Sequence, residues 1–88
     1  MPDFTQLTQL PNIGKVLAEK LFQVGIETME DLQTIGSENA FARLKTVDKG
    51  ACFNMLCALE GAIQGIRWHK IDESRKDELK AFYAVTKK

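Results

Sequence analysis

The chain has 88 residues, enough for one domain that buries roughly 60–65% of the surface its unfolded form would expose. It is 44% hydrophobic and 27% charged, with twelve Lys plus Arg balancing twelve Asp plus Glu, which excludes a disordered chain and a global positive field that would gather nucleic acid or an acidic membrane. No run approaches the roughly eighteen consecutive apolar residues of a membrane span, and Met1-Pro2-Asp3-Phe4 lacks the basic and apolar regions of a signal peptide; the reading is a cytoplasmic protein with no membrane association.

Asp3 and Gln6 have capping-box spacing and open a short helix through Phe4, Leu7 and Leu10. Pro11 ends it, Asn12 tolerates the left-handed conformation and Gly14 accepts either sign of φ, so residues 11–14 are predicted as a tight turn. A second helix follows, its apolar face Val16, Leu17, Leu21 and Val24, with Lys15, Glu19, Lys20 and Gln23 on other faces and Gly25 as its stop. Thr28 and Asp31 form another capping-box pair, placing a short helix at 29–34 that gives Met29, Leu32 and Ile35 to the core. Gly36 ends that helix and Ser37 caps the next.

From Ser37 the set Ala40, Phe41, Leu44 and Val47 has helical spacing, broken by Asp48-Lys49-Gly50. In 51–66, apolar residues including Phe53, Leu56, Cys57, Leu59, Ala62 and Ile63 surround most of the helix, which marks it as central. Gly61 and Gly65 each cost ~1 kcal/mol of helix propensity there, a cost that close approach of a neighbouring helix would offset. Glu60 interrupts the apolar run: exposure is the favoured reading, a buried carboxylate paired with Lys or Arg the alternative. Asp72 caps a last helix with a narrow apolar edge of Leu79, Phe82 and Tyr83, and Lys87 and Lys88 favour its C-terminal end. The sign-alternating run 72–78 reads as a solvated face.

No strand pattern competes. The fold class is all-α: a compact bundle of about five helices forming one domain over 1–88 and containing a helix-hairpin-helix-like motif. A faint repeat at an offset of 36 aligns Gly14, Leu17, Leu21 and Gly25 with Gly50, Phe53, Cys57 and Gly61, weak support for two stacked helical hairpins.

Residues 4–25, FTQLTQLPNIGKVLAEKLFQVG, resemble the helix-hairpin-helix motif. Amides at the start of the second helix are free to hold a phosphate, with the positive end of the helix dipole behind them. Asn12, Ile13, Gly14, Lys15 and Lys20 are the candidate phosphate or DNA contacts. Asn12 replaces the first glycine of the Gly-x-Gly turn common in DNA-binding members, and Val16 stands where those members carry a cation. With one or two cations engaged, affinity is expected near the weak ~10⁻⁴ M end of non-specific binding.

A wider resemblance covers nearly the whole chain. The succession LPNIGKVLAEKLFQVGIETMEDLQTIGSENAFARLK, then NMLCALEGAIQGIRWHKI, then a polar last helix is similar to the C-terminal domain of the TfoX (Sxy) family. The features carrying it are the Leu-Pro-Asn-Ile-Gly turn, Gly25-Ile26 before a capped short helix, the Ala58-Leu59-Glu60-Gly61-Ala62 segment and the late Trp68. The resemblance implies a helix-hairpin-helix-like domain of bacterial proteins, some of which regulate natural transformation together with the cyclic-AMP receptor protein.

Cys52 and Cys57 are spaced to point apart and read as small hydrophobes without a disulfide. His69, the only histidine, has no second ligand at metal-binding spacing, so no metal or cofactor is expected. Nor is a small-molecule substrate: there is no Walker-type loop, nucleophile elbow or placed carboxylate pair, and the reading is non-enzymatic. Trp68 reads as a core anchor for the last helix, with an interface role as the alternative. Two classes remain: DNA binding through the hairpin, and a protein-interaction module whose patch is Trp68, Phe82 and Tyr83. The neutral charge balance puts an unidentified protein partner ahead, with weak DNA contact second; clustering of Lys15, Lys20, Lys45 and Lys49 on one face would reverse that order.

Overall fold

The computed structural model describes residues 5–86, with only the backbone described at 5 and 6. Asp3, Phe4, Lys87 and Lys88, and the capping side chain of Gln6, lie outside the described residues. The described part is all-helical: α1 Thr5–Thr8, α2 Lys15–Gln23, α3 Met29–Ile35, α4 Ser37–Leu44, α5 Phe53–Gln64, a 3-10 turn Trp68–Lys70, and α6 Glu73–Thr86. Its radius of gyration, 12.0 Å, is close to the about 12 Å of a folded chain this long.

Local chemistry sets most of the boundaries. Asn12 has φ 70, the left-handed geometry of the turn between α1 and α2, which its short polar side chain tolerates. Gly14 is extended instead, with φ −91 and ψ 179 as the N-cap of α2, so its freedom of φ is not used. α2 ends in a Schellman arrangement: Gly25 has φ 86, Ile26 N–H donates to Leu21 O at 2.9 Å and Gly25 N–H to Phe22 O at 3.1 Å. Thr28 Oγ1 accepts from the Asp31 amide at 3.1 Å, and the Asp31 carboxylate accepts from Glu27 N–H at 3.1 Å, a capping box shifted by one residue. Ser37 does not cap α4; Gly36 occupies that position and Ser37 is the first helical residue, buried.

The core is one cluster built from every helix. Leu7, Leu21, Ile26, Leu32, Phe41, Leu44, Leu56, Leu59 and Leu79 are fully buried, each worth about 1.5–3 kcal/mol against exposure. α5 is central, packing on α3, α4, α6 and the 3-10 turn. Four predicted core residues face solvent instead: Val16, Val47, Trp68 and Met29 are 66%, 45%, 43% and 42% exposed. In α2 the buried place goes to Ala18 beside Leu21, because the helix turns its narrow face to α1 and α4 and Val16 lies off it. The 36-residue repeat does not extend to the glycines: Gly14 caps α2 whereas Cys52 caps α5, and Gly25 ends α2 whereas Gly61 is inside α5.

Glu60 is buried, against the favoured reading, at the junction of α4, α5 and α6. Its Oε1 accepts from Ser37 Oγ at 2.7 Å and Arg75 Nη2 at 3.0 Å, and its Oε2 accepts from Gln64. Arg75 also donates to Ser37 Oγ at 3.3 Å and to Glu78 at 2.9 Å. The polar run of α6 is therefore not wholly solvated, since Arg75 reaches inward. Burial pushes the Glu60 carboxyl up, but the hydrogen bonds from Arg75, Ser37 and Gln64 outweigh it and leave the group below its ordinary value.

Candidate functional site

The hairpin turn is tied to the far end of the chain. Asn12 Nδ2 donates to the Ile66 carbonyl at 2.9 Å and Asn12 Oδ1 accepts from Trp68 N–H at 3.2 Å. Both functional groups of the predicted phosphate contact are thus spent on the segment between α5 and the 3-10 turn. Gly61 sits beneath this staple, where a Cβ would fall 2.5 Å from Asn12 Nδ2, 2.8 Å from the Ile66 carbonyl oxygen and 3.2 Å from Trp68 Cα. The close approach that Gly61 serves is therefore to the Asn12 side chain and to the backbone that runs from Ile66 into the 3-10 turn, not to another α-helix. Gly65, with φ 75 and open space at its Cβ position, is the left-handed cap of α5.

The other hairpin candidates divide. Ile13 is buried and anchors the turn, while Gly14 and Lys15 are exposed at the start of α2. Nothing lies within 4 Å of where a Gly14 Cβ would be. Lys20 forms a 2.7 Å ion pair with Asp48, whose carboxyl that hydrogen bond lowers. Lys45 Nζ lies 5.8 Å from the Phe41 ring centroid and 5.9 Å from that of Tyr83, and Lys49 is exposed. Two of the four lysines proposed as a basic face are thus engaged with the protein's own groups.

The three aromatics differ in exposure. Phe82 and Tyr83 are half-buried against the core, and the Tyr83 ring lies 5.9 Å from Phe41 and 5.7 Å from Phe53. Trp68 is 43% exposed, with the His69 ring edge-on at 5.8 Å. It is no core anchor: the 3-10 turn holds its backbone on α5 and leaves the indole at the surface.

Trp68 borders an open groove of about 420 Å³. Asn12, Val16 and Leu17 contribute one side, Asn54, Met55 and Ala58 of α5 another, and Arg67 with Trp68 the third. The groove exists because the main helix neighbours of α2 are α1 and α4, so the start of α2 does not close on the start of α5. Sequence reading did not identify Asn54, Met55, Ala58 or Arg67 with this site. One signal was present: α2 and α5 have no acidic residue in their first turns, whereas α3, α4 and α6 each do.

Burial raises the Cys57 thiol, making it a poor nucleophile; Cys52 is exposed and both are free. Among the described residues no cluster of His, Cys, Asp or Glu could hold a metal ion, and no helix is long and apolar enough to cross a membrane.

The family model for the TfoX C-terminal domain matches residues 4–83. Two crystal structures from Listeria monocytogenes are similar to the chain. One, of an uncharacterized protein in a triclinic form, has a TM-score of 0.90 and 49% identity and covers 92% of each chain. The other, of a protein of unknown function in a tetragonal form, has a TM-score of 0.85 and 50% identity, covering 89% of this chain and 96% of that one. No curated protein matches.

Proposed function

The chain belongs to the TfoX C-terminal domain family, and on that premise we propose that it is a non-enzymatic, cytoplasmic protein-interaction module that docks its partner in the groove beside Trp68. The observation that carries this reading is that Val16 and Trp68, 66% and 43% exposed, flank the same concavity. Exposed apolar side chains around a groove are a feature of partner sites, and a central aromatic is a common binding anchor. The hairpin's polar chemistry points the other way from DNA: Asn12 is spent internally and Lys20 is neutralised by Asp48.

Weak phosphate contact is the second reading, favoured by the open approach to Gly14 and the exposed Lys15 at the start of α2. One experiment separates the two. Proteins retained from the source cell's extract by the wild type are compared with those retained by Val16→Asp and Val85→Asp, both at exposed positions, and a protein found this way is purified and its affinity measured. The interaction reading expects a partner that binds the wild type and Val85→Asp equally and Val16→Asp at least about tenfold more weakly. It is overturned if Val16→Asp changes nothing, or if a short DNA duplex at physiological salt shifts the amides of Ile13, Gly14 and Lys15 and Lys15→Glu abolishes those shifts.

A further inference from the structure

Helix starts carry the positive end of the backbone dipole and are ordinarily complemented by acidic side chains. In this chain α3 has Glu30 and Asp31, α4 has Glu38 and α6 has Glu73 in the first turn. The first turns of α2 and α5, like that of the four-residue α1, have none, and the N-caps of α2 and α5, Gly14 and Cys52, make no side-chain capping bond. These two starts converge on the groove, where Val16 and Leu17 come from the first turn of α2 and Asn54 and Met55 from that of α5.

Arg67 adds a full charge at the same place. Among the described residues it is the one charged residue lining the groove, and there it makes no ion pair or side-chain hydrogen bond, whereas Arg75 is paired with Glu60 and Glu78 and Lys20 with Asp48. Asn54, exposed on α5, has a side-chain amide with no hydrogen-bond partner among the described residues, a donor and acceptor suited to a passing backbone. Among the described residues the lining therefore holds a cation and two helix starts but no acidic side chain, around walls made apolar by Val16, Leu17, Met55, Ala58 and Trp68.

Resting on the interaction reading above, we infer that the groove takes an acidic, apolar peptide segment of a partner protein, its aliphatic or aromatic side chain seated against Trp68 and Met55 and its carboxylate held by Arg67. A nucleic-acid backbone would meet the charge but leave the apolar walls unfilled. A neutral apolar segment would fill the walls but leave Arg67 and both helix starts without a counter-charge. An acidic, apolar segment complements both.

The test is a random dodecapeptide display library selected on the intact chain, with each enriched peptide synthesised and titrated against the wild type, Arg67→Gln, Arg67→Glu and Val16→Asp. All three substitutions are at exposed positions, and circular dichroism verifies that the helices persist. The expected winners place Asp or Glu within a few residues of a Leu, Phe or Trp. They bind about tenfold more weakly to Arg67→Gln and weaker still to Arg67→Glu, and replacing their acid by its amide costs a similar factor on the wild type but none on Arg67→Gln. Winners that are neutral or basic, weakened by Val16→Asp yet indifferent to both Arg67 variants, overturn the acidic specificity and leave the interaction groove standing. Winners indifferent to all three variants, or an absence of winners, overturn both. A DNA duplex that shifts the Trp68 indole with loss on Arg67→Gln assigns the charge to nucleic acid and overturns the peptide proposal.

Discussion

Glu60 and Asn12 each tie distant parts of the chain together with polar side chains, and they do so with opposite consequences for function. Glu60 is buried, receives hydrogen bonds from Ser37, Gln64 and Arg75, and joins α4, α5 and α6 into a closed junction. Asn12 joins the hairpin turn to the loop after α5 by two bonds, at the edge of an open groove. In the charged clamp both oxygens of the buried Glu60 carboxylate are taken by protein donors. The neutral staple at the other site takes up Asn12, the Ile66 carbonyl and the Trp68 amide, and the side chains of Arg67, Trp68 and Val16 beside it face solvent. In this domain a polar residue's type does not foretell its role; what matters is whether the packing around it completes its partners.

The largest effect on stability belongs to Glu60. Glu60→Ala should cost about 3 kcal/mol in urea denaturation, at the low end for a broken buried ion pair because Arg75 retains access to water. A loss below about 1 kcal/mol would make the junction no more than a surface pair.

The staple should rank below it. Asn12→Gly keeps the left-handed backbone accessible and removes both hydrogen bonds, an expected loss of about 1–2 kcal/mol. Gly61→Ala should cost about 2 kcal/mol by overpacking. Combined in Asn12→Gly/Gly61→Ala, the losses should be less than additive, since the Cβ then no longer meets Asn12 Nδ2, although the Ile66 carbonyl remains in its way. Strict additivity in a double-mutant cycle would sever Asn12 from Gly61.

The smallest effect is in the pH profile, and it distinguishes the two sites by charge. Because the folded state holds the Glu60 carboxyl below its ordinary 4.5, the junction's contribution is full above that value and is lost as pH falls through the lower folded-state pKa. The wild type's stability advantage over Glu60→Gln should therefore shrink in that acid window, while its advantage over Asn12→Gly should not change. Urea midpoints measured between pH 7 and pH 3 decide this. An advantage over Glu60→Gln that stays constant or grows on acidification would contradict the sign.

What the sequence determined by itself is local. Asn12 at the left-handed turn, Gly25 and Gly36 as stops, Thr28 as a cap and the buried set Leu21, Leu32, Phe41, Leu44, Leu56 and Leu79 follow from backbone sterics, capping and 3.6-residue periodicity. These act within a few residues. Tertiary structure decided what periodicity cannot encode. Which apolar residue of α2 faces a neighbour depends on how the helices pack, so Val16 emerged at the surface and Ala18 inside. Pairing across 54 and 56 residues for Asn12, 28 for Lys20 with Asp48, and 23 and 15 for Glu60 with Ser37 and Arg75 requires the assembled bundle. Arg67 belongs to the groove for the same reason: its charge is plain in the sequence, but only packing sets it beside two uncompensated helix starts.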